Sequence, residues 1–272
     1  MNQSCAIIAG GGRFPFHVAE EVKRQGLRVV GIGIQGWVDP SLAASVDTYE
    51  EIAVGQVGRL VERLKSHHVN QAVMAGKVTK SVLFDPRIRF DLETLAILGQ
   101  LREFSVNGLL GAIAKRLARD GIVLLDSSTF LKSDLCPPGV LTARRPTAQE
   151  EEDIRLGVKT ARQLTSLDIG QTVVVKGKVI VAVEALEGTD AAIQRGGQVA
   201  GRGCVVVKIA GPKQDMRFDL PVLGVQTIDV AASAGVSCLA VEARKTLLLD
   251  RAALVAKADQ AGLSLLGLEP AK

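Results

Sequence analysis

The chain has 272 residues, of which 47% are hydrophobic, 23% charged and only 3% aromatic. These proportions exclude disordered, collagen-like and mucin-like chains, and so few rings exclude the stacking platform of a single-stranded nucleic-acid binder. A net charge of +4, from 33 basic and 29 acidic residues, is too slight for a surface that must neutralise many phosphates. The length suits about two domains. A core made of aliphatic side chains suits parallel sheets covered by helices on both faces.

The first 35 residues alternate strand, glycine turn, helix and strand. Cys5–Ala9 reads as a buried strand and Gly10-Gly11-Gly12 as a turn. Pro15 starts a helix that runs to about Gln25, with Gly26 as its stop. Leu27–Ile34 is a second strand and Gln71–Ala75 a third, ahead of Gly76-Lys77. An amphipathic helix ends at His67-His68, and a long helical region runs from about Asp91 to Arg119. Asp120-Gly121 breaks it before a strand over Ile122–Leu125. Alternation of this kind marks a doubly wound parallel sheet, so residues 1–130 are expected to form a Rossmann-like domain.

Residues 131–146 hold Pro137-Pro138-Gly139 and Pro146 and are the expected linker. Half of the net charge lies there, with Arg144 and Arg145 adjacent; anionic lipid head groups are one conceivable partner for them, plain solvent the other. Residues 147–272 are expected to form a second α/β or α+β domain. Thr147 and Glu150 have capping-box spacing for a helix to about Leu164. Thr172–Val175 and Val179–Glu184 flank Lys176-Gly177-Lys178 as a hairpin, and a short helix follows Asp190. Cys204–Ile209 is a strand, and Gln226–Gly235, Ser237–Val241, Lys245–Leu249 and Arg251–Gly262 read as helix, strand, strand and helix.

Cys5, Cys136, Cys204 and Cys238 lie far apart with no C-x-x-C pair, which favours reduced thiols over a zinc site. No signal peptide and no run of 18 apolar residues is visible. A cytoplasmic protein is expected.

Three features carry chemistry. The turn Ala9-Gly-Gly-Gly-Arg13-Phe-Pro15 joins a strand to a helix, and its backbone amides suit a phosphate or another anion. It is not a dinucleotide fingerprint: Pro15 replaces the third glycine, and the second strand ends without a ribose-binding acid. A plain tight turn is the other reading. Lys77, at a strand's carboxyl end, could meet phosphate charge or be merely solvated. In the second half, Glu184, Glu187 and Asp190 precede Asp215, Arg217 and Asp219. Even spacing puts Asp215 and Asp219 on one face of a turn or a strand. Paired carboxylates suit a hard divalent cation or a positioned water, against the alternative of a charged, solvated loop. The histidines, His17, His67 and His68, are weak candidates. No nucleophile elbow, zincin or P-loop motif is present.

Five segments in this order resemble a known family. They are Ala9-Gly-Gly-Gly-Arg13-Phe-Pro15, Ala75-Gly-Lys77, Asp126-Ser-Ser-Thr-Phe-Leu131, Glu184-Ala-Leu-Glu187-Gly-Thr-Asp190 and Gln214-Asp-Met-Arg-Phe-Asp219-Leu-Pro221. They resemble the UDP-2,3-diacylglucosamine pyrophosphatases of lipid A biosynthesis, in the type unlike the calcineurin phosphoesterases. The resemblance covers essentially the whole chain. It implies a cytoplasmic Gram-negative enzyme of two domains with substrate between them. Such an enzyme hydrolyses UDP-2,3-diacylglucosamine to UMP and 2,3-diacylglucosamine 1-phosphate (lipid X) with Mg²⁺ or Mn²⁺. It further implies that Asp215 or Asp219 is essential, with Arg217 beside them in catalysis. Asp215, Asp219, Glu184, Glu187 and Asp190 are then the expected metal set, and Gly11, Gly12, Lys77, Thr189 and Gln214 the expected substrate contacts. Peripheral contact with the inner membrane and a homo-oligomer are compatible with it. Acyl chains would need an apolar wall, for which Leu95, Leu98, Leu101, Phe104, Leu109, Leu110, Ile113 and Leu117 are candidates, although the same residues suit a core.

Two rivals remain. A nucleotide-sugar oxidoreductase or epimerase would need a Tyr-Lys pair, and the only tyrosine is Tyr49. A non-enzymatic nucleotide-binding regulator would leave the carboxylates without a cation.

Overall fold

The computed structural model describes residues 3–79, 82, 85–101, 106–211 and 214–269. Phe104, which figures in the expectations above, lies outside them. The chain divides into two compact units. One takes residues up to Lys132 together with Asp215–Asp219, and the other takes Ser133–Gln214 and the chain from Leu220 on. Both are α/β, as expected.

In the first unit β1 (Ser4–Ala9), β2 (Arg28–Ile34), β3 (Thr48–Ile52), β4 (Gln71–Ala75) and β5 (Val123–Leu124) form one sheet in the order β3-β2-β1-β4-β5. Every pairing is parallel. The chain winds outward from β1 to β3, then returns to place β4 on the other side of β1. Helix α1 (Phe14–Arg24) has Pro15 in its first turn, Lys23 and Arg24 in its last, and Gly26 at φ +78° beyond. Helices α2 (Val57–Ser66), α3 (Leu92–Gln100) and α4 (Val106–Arg119) close one face of the sheet. Leu60, Leu64, Ile97, Ile113 and Leu117 pack there on Ala6, Ile8, Val30 and Ile32. Val18, Ala19 and Val22 of α1 are buried apart from that cluster, and the alternation of β1 turns Cys5, Ile7 and Ala9 to the opposite face.

The region expected as one helix from Asp91 to Arg119 is thus two, because α3 ends at Gln100 and α4 begins at Val106. Ile113 and Leu117 of the expected apolar wall belong to the core, and Leu109 and Leu110 pack against it. Strand β3 was not expected. Its sequence, Thr-Tyr-Glu-Glu-Ile, hides it, since an edge strand tolerates acids that a central one does not.

In the second unit β6 (Gly139–Val140), β7 (Thr172–Lys176), β8 (Val179–Val183), β9 (Cys204–Lys208), β11 (Val236–Glu242) and β13 (Ser264–Leu268) form a sheet in the order β6-β13-β11-β9-β7-β8. Neighbours among β13, β11 and β9 are parallel, whereas β7, β8 and β6 run antiparallel to theirs. Strands β10 (Val222–Leu223) and β12 (Leu247–Leu248) form a separate parallel pair. Helices α6 (Thr189–Ala200), α7 (Val225–Ser233) and α8 (Arg251–Gln260) contribute Ile193, Ile228 and Leu254 to the core on one face. Helix α5 (Ala148–Ser166) covers the other with Ile154 and Ala161 and carries the expected capping box between Thr147 and Glu150. A Cβ on Gly157 would stand 2.5 Å from the Val207 side chain, so only glycine lets α5 lie this close to β9.

The stretch 131–146 marks the passage between units, yet most of it is built into the second. Cys136 is fully buried, and Gly139–Val140 pairs with β13. Arg144 donates to both oxygens of the Glu150 carboxylate at 2.7 and 2.9 Å and to the Ser237 carbonyl at 3.0 Å, which ties it to the start of α5 and to β11. All four cysteines are free and buried, and burial pushes the Cys136 thiol up to about 11 and those of Cys5 and Cys238 to about 12. Among the described residues no helix is long and apolar enough to cross a membrane.

Candidate active site

The strand order of the first unit reverses between β1 and β4, and open α/β sheets bind ligands at the carboxyl ends beside such a reversal. The segments that follow these two strands are stitched together there. Gly10 N–H donates to the Ala75 carbonyl at 2.8 Å, and Gly11 and Lys77 exchange backbone hydrogen bonds at 2.9 Å each. The approach explains the glycines: a Cβ on Gly10 would lie 2.8 Å from the Lys77 carbonyl oxygen, and one on Gly76, at φ +95°, 2.7 Å from the Gly10 backbone. The amides of Gly10 and Gly11 are therefore spent. The anion capacity expected of the turn falls to the amides beyond, at the start of α1, where Arg13 stands over the Phe16 ring at 4.7 Å. Gly12, at φ +90°, has open space beside it, and the Lys77 side chain is exposed.

Two further segments join this edge. After β5, the Asp126 carboxylate accepts from the Ser128 amide and hydroxyl at 2.7 and 2.6 Å. Between them Ser127 is buried; its hydroxyl lies 2.7 Å from both the Met74 and the Arg217 carbonyl oxygens, and its amide donates to the Met216 carbonyl at 2.9 Å. Phe218, like Met74, packs against the core cluster of the first unit. Asp215–Asp219 is thereby part of the first unit. Within it, Asp219 N–H and Phe218 N–H donate to the Asp215 carbonyl at 3.0 and 3.2 Å, closing a turn that returns residue 219 toward residue 215. Arg217 grips Asp215 side-on, with Nε 2.9 Å from Oδ1 and a terminal nitrogen 2.6 Å from Oδ2. That guanidinium holds the Asp215 carboxyl below the usual carboxylate range.

Glu184, Glu187, Asp190, Thr189 and Gln214 lie in the second unit. Glu184 follows β8, and its Oε1 accepts from the Thr189 hydroxyl at 3.0 Å. Burial raises its pKa, but the Lys208 charge and the hydroxyls of Thr172 and Thr189 outweigh that and hold it below the ordinary value. Glu187 pairs with Arg195 at 2.7 Å, Asp190 accepts from the Thr227 hydroxyl at 2.9 Å, and Gln214 accepts from Gly211 N–H at 2.5 Å. Among the described residues no group of three His, Cys, Asp or Glu side chains is gathered as for a metal. A hard cation such as Mg²⁺ or Mn²⁺ needs one or two carboxylates with water and phosphate oxygens; the Asp215–Asp219 turn carries two, of which Asp215 is paired with Arg217.

The Tyr49 hydroxyl donates to Glu51 at 2.7 Å, and burial together with that carboxylate pushes the phenol up; among the described residues no lysine pairs with it, as an epimerase or nucleotide-sugar oxidoreductase would need. Ser127 and Lys208 were given no role from sequence. The one signal for Lys208 was a charge inside an otherwise apolar strand, Cys-Val-Val-Val-Lys-Ile.

Comparison with known proteins agrees with the motif order. Residues 4–133 match the LpxI N-terminal domain and residues 137–266 the LpxI C-terminal domain. The UDP-2,3-diacylglucosamine pyrophosphatase LpxI of Caulobacter vibrioides is 30% identical over 278 aligned positions, covering 97% of each chain. Among solved structures, a CobK precorrin-6A reductase has a TM-score of 0.31 at 12% identity, covering 100% of this chain and 89% of its own. A phosphoribosylglycinamide synthetase from Anaerococcus prevotii has a TM-score of 0.29 at 10% identity, covering 71% of this chain and 41% of its own.

Proposed function

Because the chain belongs to the LpxI family, we propose that it hydrolyses the pyrophosphate of UDP-2,3-diacylglucosamine, giving UMP and 2,3-diacylglucosamine 1-phosphate, with Mg²⁺ or Mn²⁺. The observation that carries this reading is the match of both domains and of a relative so named along the whole length. The carboxyl edge of the first sheet is compatible with it. Transfer of a phosphoryl group to water needs charge neutralisation and a positioned water more than covalent chemistry. The α1 N-terminus, Arg13 and Lys77 are suited to the anionic part of the substrate, with Gly11 and Gly12 giving close backbone approach. Asp215 and Asp219 would hold the cation, which when bound polarises phosphoryl oxygens and lowers the pKa of water. Arg217, if it left Asp215, would meet the charge that develops on phosphate oxygens. Thr189 and Gln214 are proposed to touch the substrate as well.

Incubating the purified chain with UDP-2,3-diacylglucosamine in heavy-oxygen water tests it. Mass spectrometry should find UMP and the sugar-lipid phosphate, with the label on one of them, and a chelator should stop the reaction until Mg²⁺ or Mn²⁺ is restored. Intact substrate under all metal conditions would refute the reading.

A further inference from the structure

We propose that Lys208 is a positioning residue for this hydrolysis, fixing Thr189 and the loop from Glu184 to Asp190 from inside the second sheet; the inference rests on the reading above. Lys208 ends β9 after four apolar residues and is only 6% exposed. Its Nζ donates to Thr189 Oγ1 at 2.8 Å and stands 4.0 Å from Glu184 Oε2. The Thr189 hydroxyl has one proton. An ammonium can only donate, so Thr189 accepts from Lys208 and its proton goes to Glu184 Oε1, 3.0 Å away. The Thr172 hydroxyl, 3.3 Å from Thr189 Oγ1, completes the group. The result is a one-way relay from Lys208 through Thr189 to Glu184 at the first residue of α6.

A lysine kept only to close the fold spends its donors on protein. Lys176 does so, donating to the Ala200 and Arg202 carbonyls at 2.7 Å each. Lys208 makes one hydrogen bond among the described residues, and buried Glu184 Oε2 makes none of good geometry. The other two carboxylates of the loop are held elsewhere, Glu187 by Arg195 and Asp190 by Thr227. Lys208 is therefore the charge that sets the Glu184–Thr189 end of the loop. Gly188, at φ +87°, is the bend that such a clamp must hold. A methionine of similar length would fill the same volume without the charge, so packing alone does not call for lysine here.

The test compares Lys208→Met, Thr189→Val and the double variant, each checked for folding by circular dichroism. Lys208 acts through Thr189, so either single change should raise KM by about tenfold with kcat within about threefold, as expected for loss of uniform binding. The double variant should be no worse than the poorer single one. Amide hydrogen exchange over residues 185–191 should quicken by about tenfold in Lys208→Met while the rest of the unit stays protected. A folded Lys208→Met with wild-type KM and unchanged exchange would overturn the proposal, as would multiplicative losses in the double variant. If Lys208→Met does not fold, amide exchange over residues 185–191 in Thr189→Val decides, since that change breaks the same relay: unchanged protection there would overturn the proposal. A wild-type chain that turns over no substrate overturns the functional reading instead, and the exchange experiment then decides whether Lys208 holds the loop.

Discussion

Asp215 and Arg217 hold each other in a side-on pair on a turn that also carries Asp219. In the proposed reaction a cation or a substrate phosphate would compete with that pair. Asp215→Asn and Asp219→Asn keep the size of the side chain and remove its charge. Each should fold normally, and at least one should lose about 10²–10³ in kcat, the range for removing a charged transition-state contact. Steady-state kinetics with a far-ultraviolet spectrum checks this; near-normal turnover in both variants would move the chemistry elsewhere. Asp215 and Asp219 were legible as a pair from spacing alone. Their anchor was not. Ser127 meets Met74, Met216 and Arg217 across large separations in the chain, and no local pattern announces such contacts.

Among the elements, α2 and α3 share one capping carboxylate. Asp91 Oδ1 accepts from Thr94 N–H at 2.8 Å at the start of α3, and its Oδ2 accepts from Gly58 N–H at 2.8 Å at the start of α2. The Thr94 hydroxyl adds a bond from Val57 N–H at 3.1 Å. Burial raises the Asp91 carboxyl, but these donors prevail and its pKa is lowered. A lowered folded pKa gives stability that is present above the unfolded value, about 3.9, and lost as pH falls through the folded one. Asp91→Ala should therefore cost about 2 kcal/mol at pH 7, toward the upper end for one cap because two helices are served. The difference from wild type should shrink toward pH 2. Urea titrations at the two pH values measure it; a penalty independent of pH would show that the carboxylate charge is not what caps the helices. Asp91 was read from sequence as a helix start, which it is. That it also caps α2 depended on a packing of helices that one segment cannot reveal. Strand β13 escaped for a related reason, because Ser-Leu-Leu-Gly-Leu has too few residues to distinguish a strand from a helix end.

At the scale of the molecule the apolar clusters among the described residues are separate: one lies on a face of the first sheet, and others lie on the two faces of the second sheet. A lesion in one core should be felt there. Gly157→Ala forces a methyl to 2.5 Å from the Val207 side chain and should cost about 1–3 kcal/mol by overpacking. Scanning calorimetry should show the heat absorption of the second unit moving to lower temperature while that of the first holds; a uniform shift would mean the units melt as one. The chain passes between units after Lys132, and the prolines and glycines that suggested a linker over 131–146 serve largely to turn the chain into the second unit. The capture of Asp215–Asp219 by the first unit was not legible, since the segment sits amid sequence that belongs to the second.

That capture sets a timetable for synthesis. As the chain leaves the ribosome, β1 to β5 emerge first and can pair. The Ser127 amide and the surface that receives Phe218 must then wait until Ser133–Gln214 has also been made. The first unit is completed only late, by a contact of long sequence separation, which is the slow and exposed kind. A ribosome stalled before Asp215 would carry a nascent chain with an assembled sheet and an open apolar notch, and a chaperone that recognises such notches would find its client there.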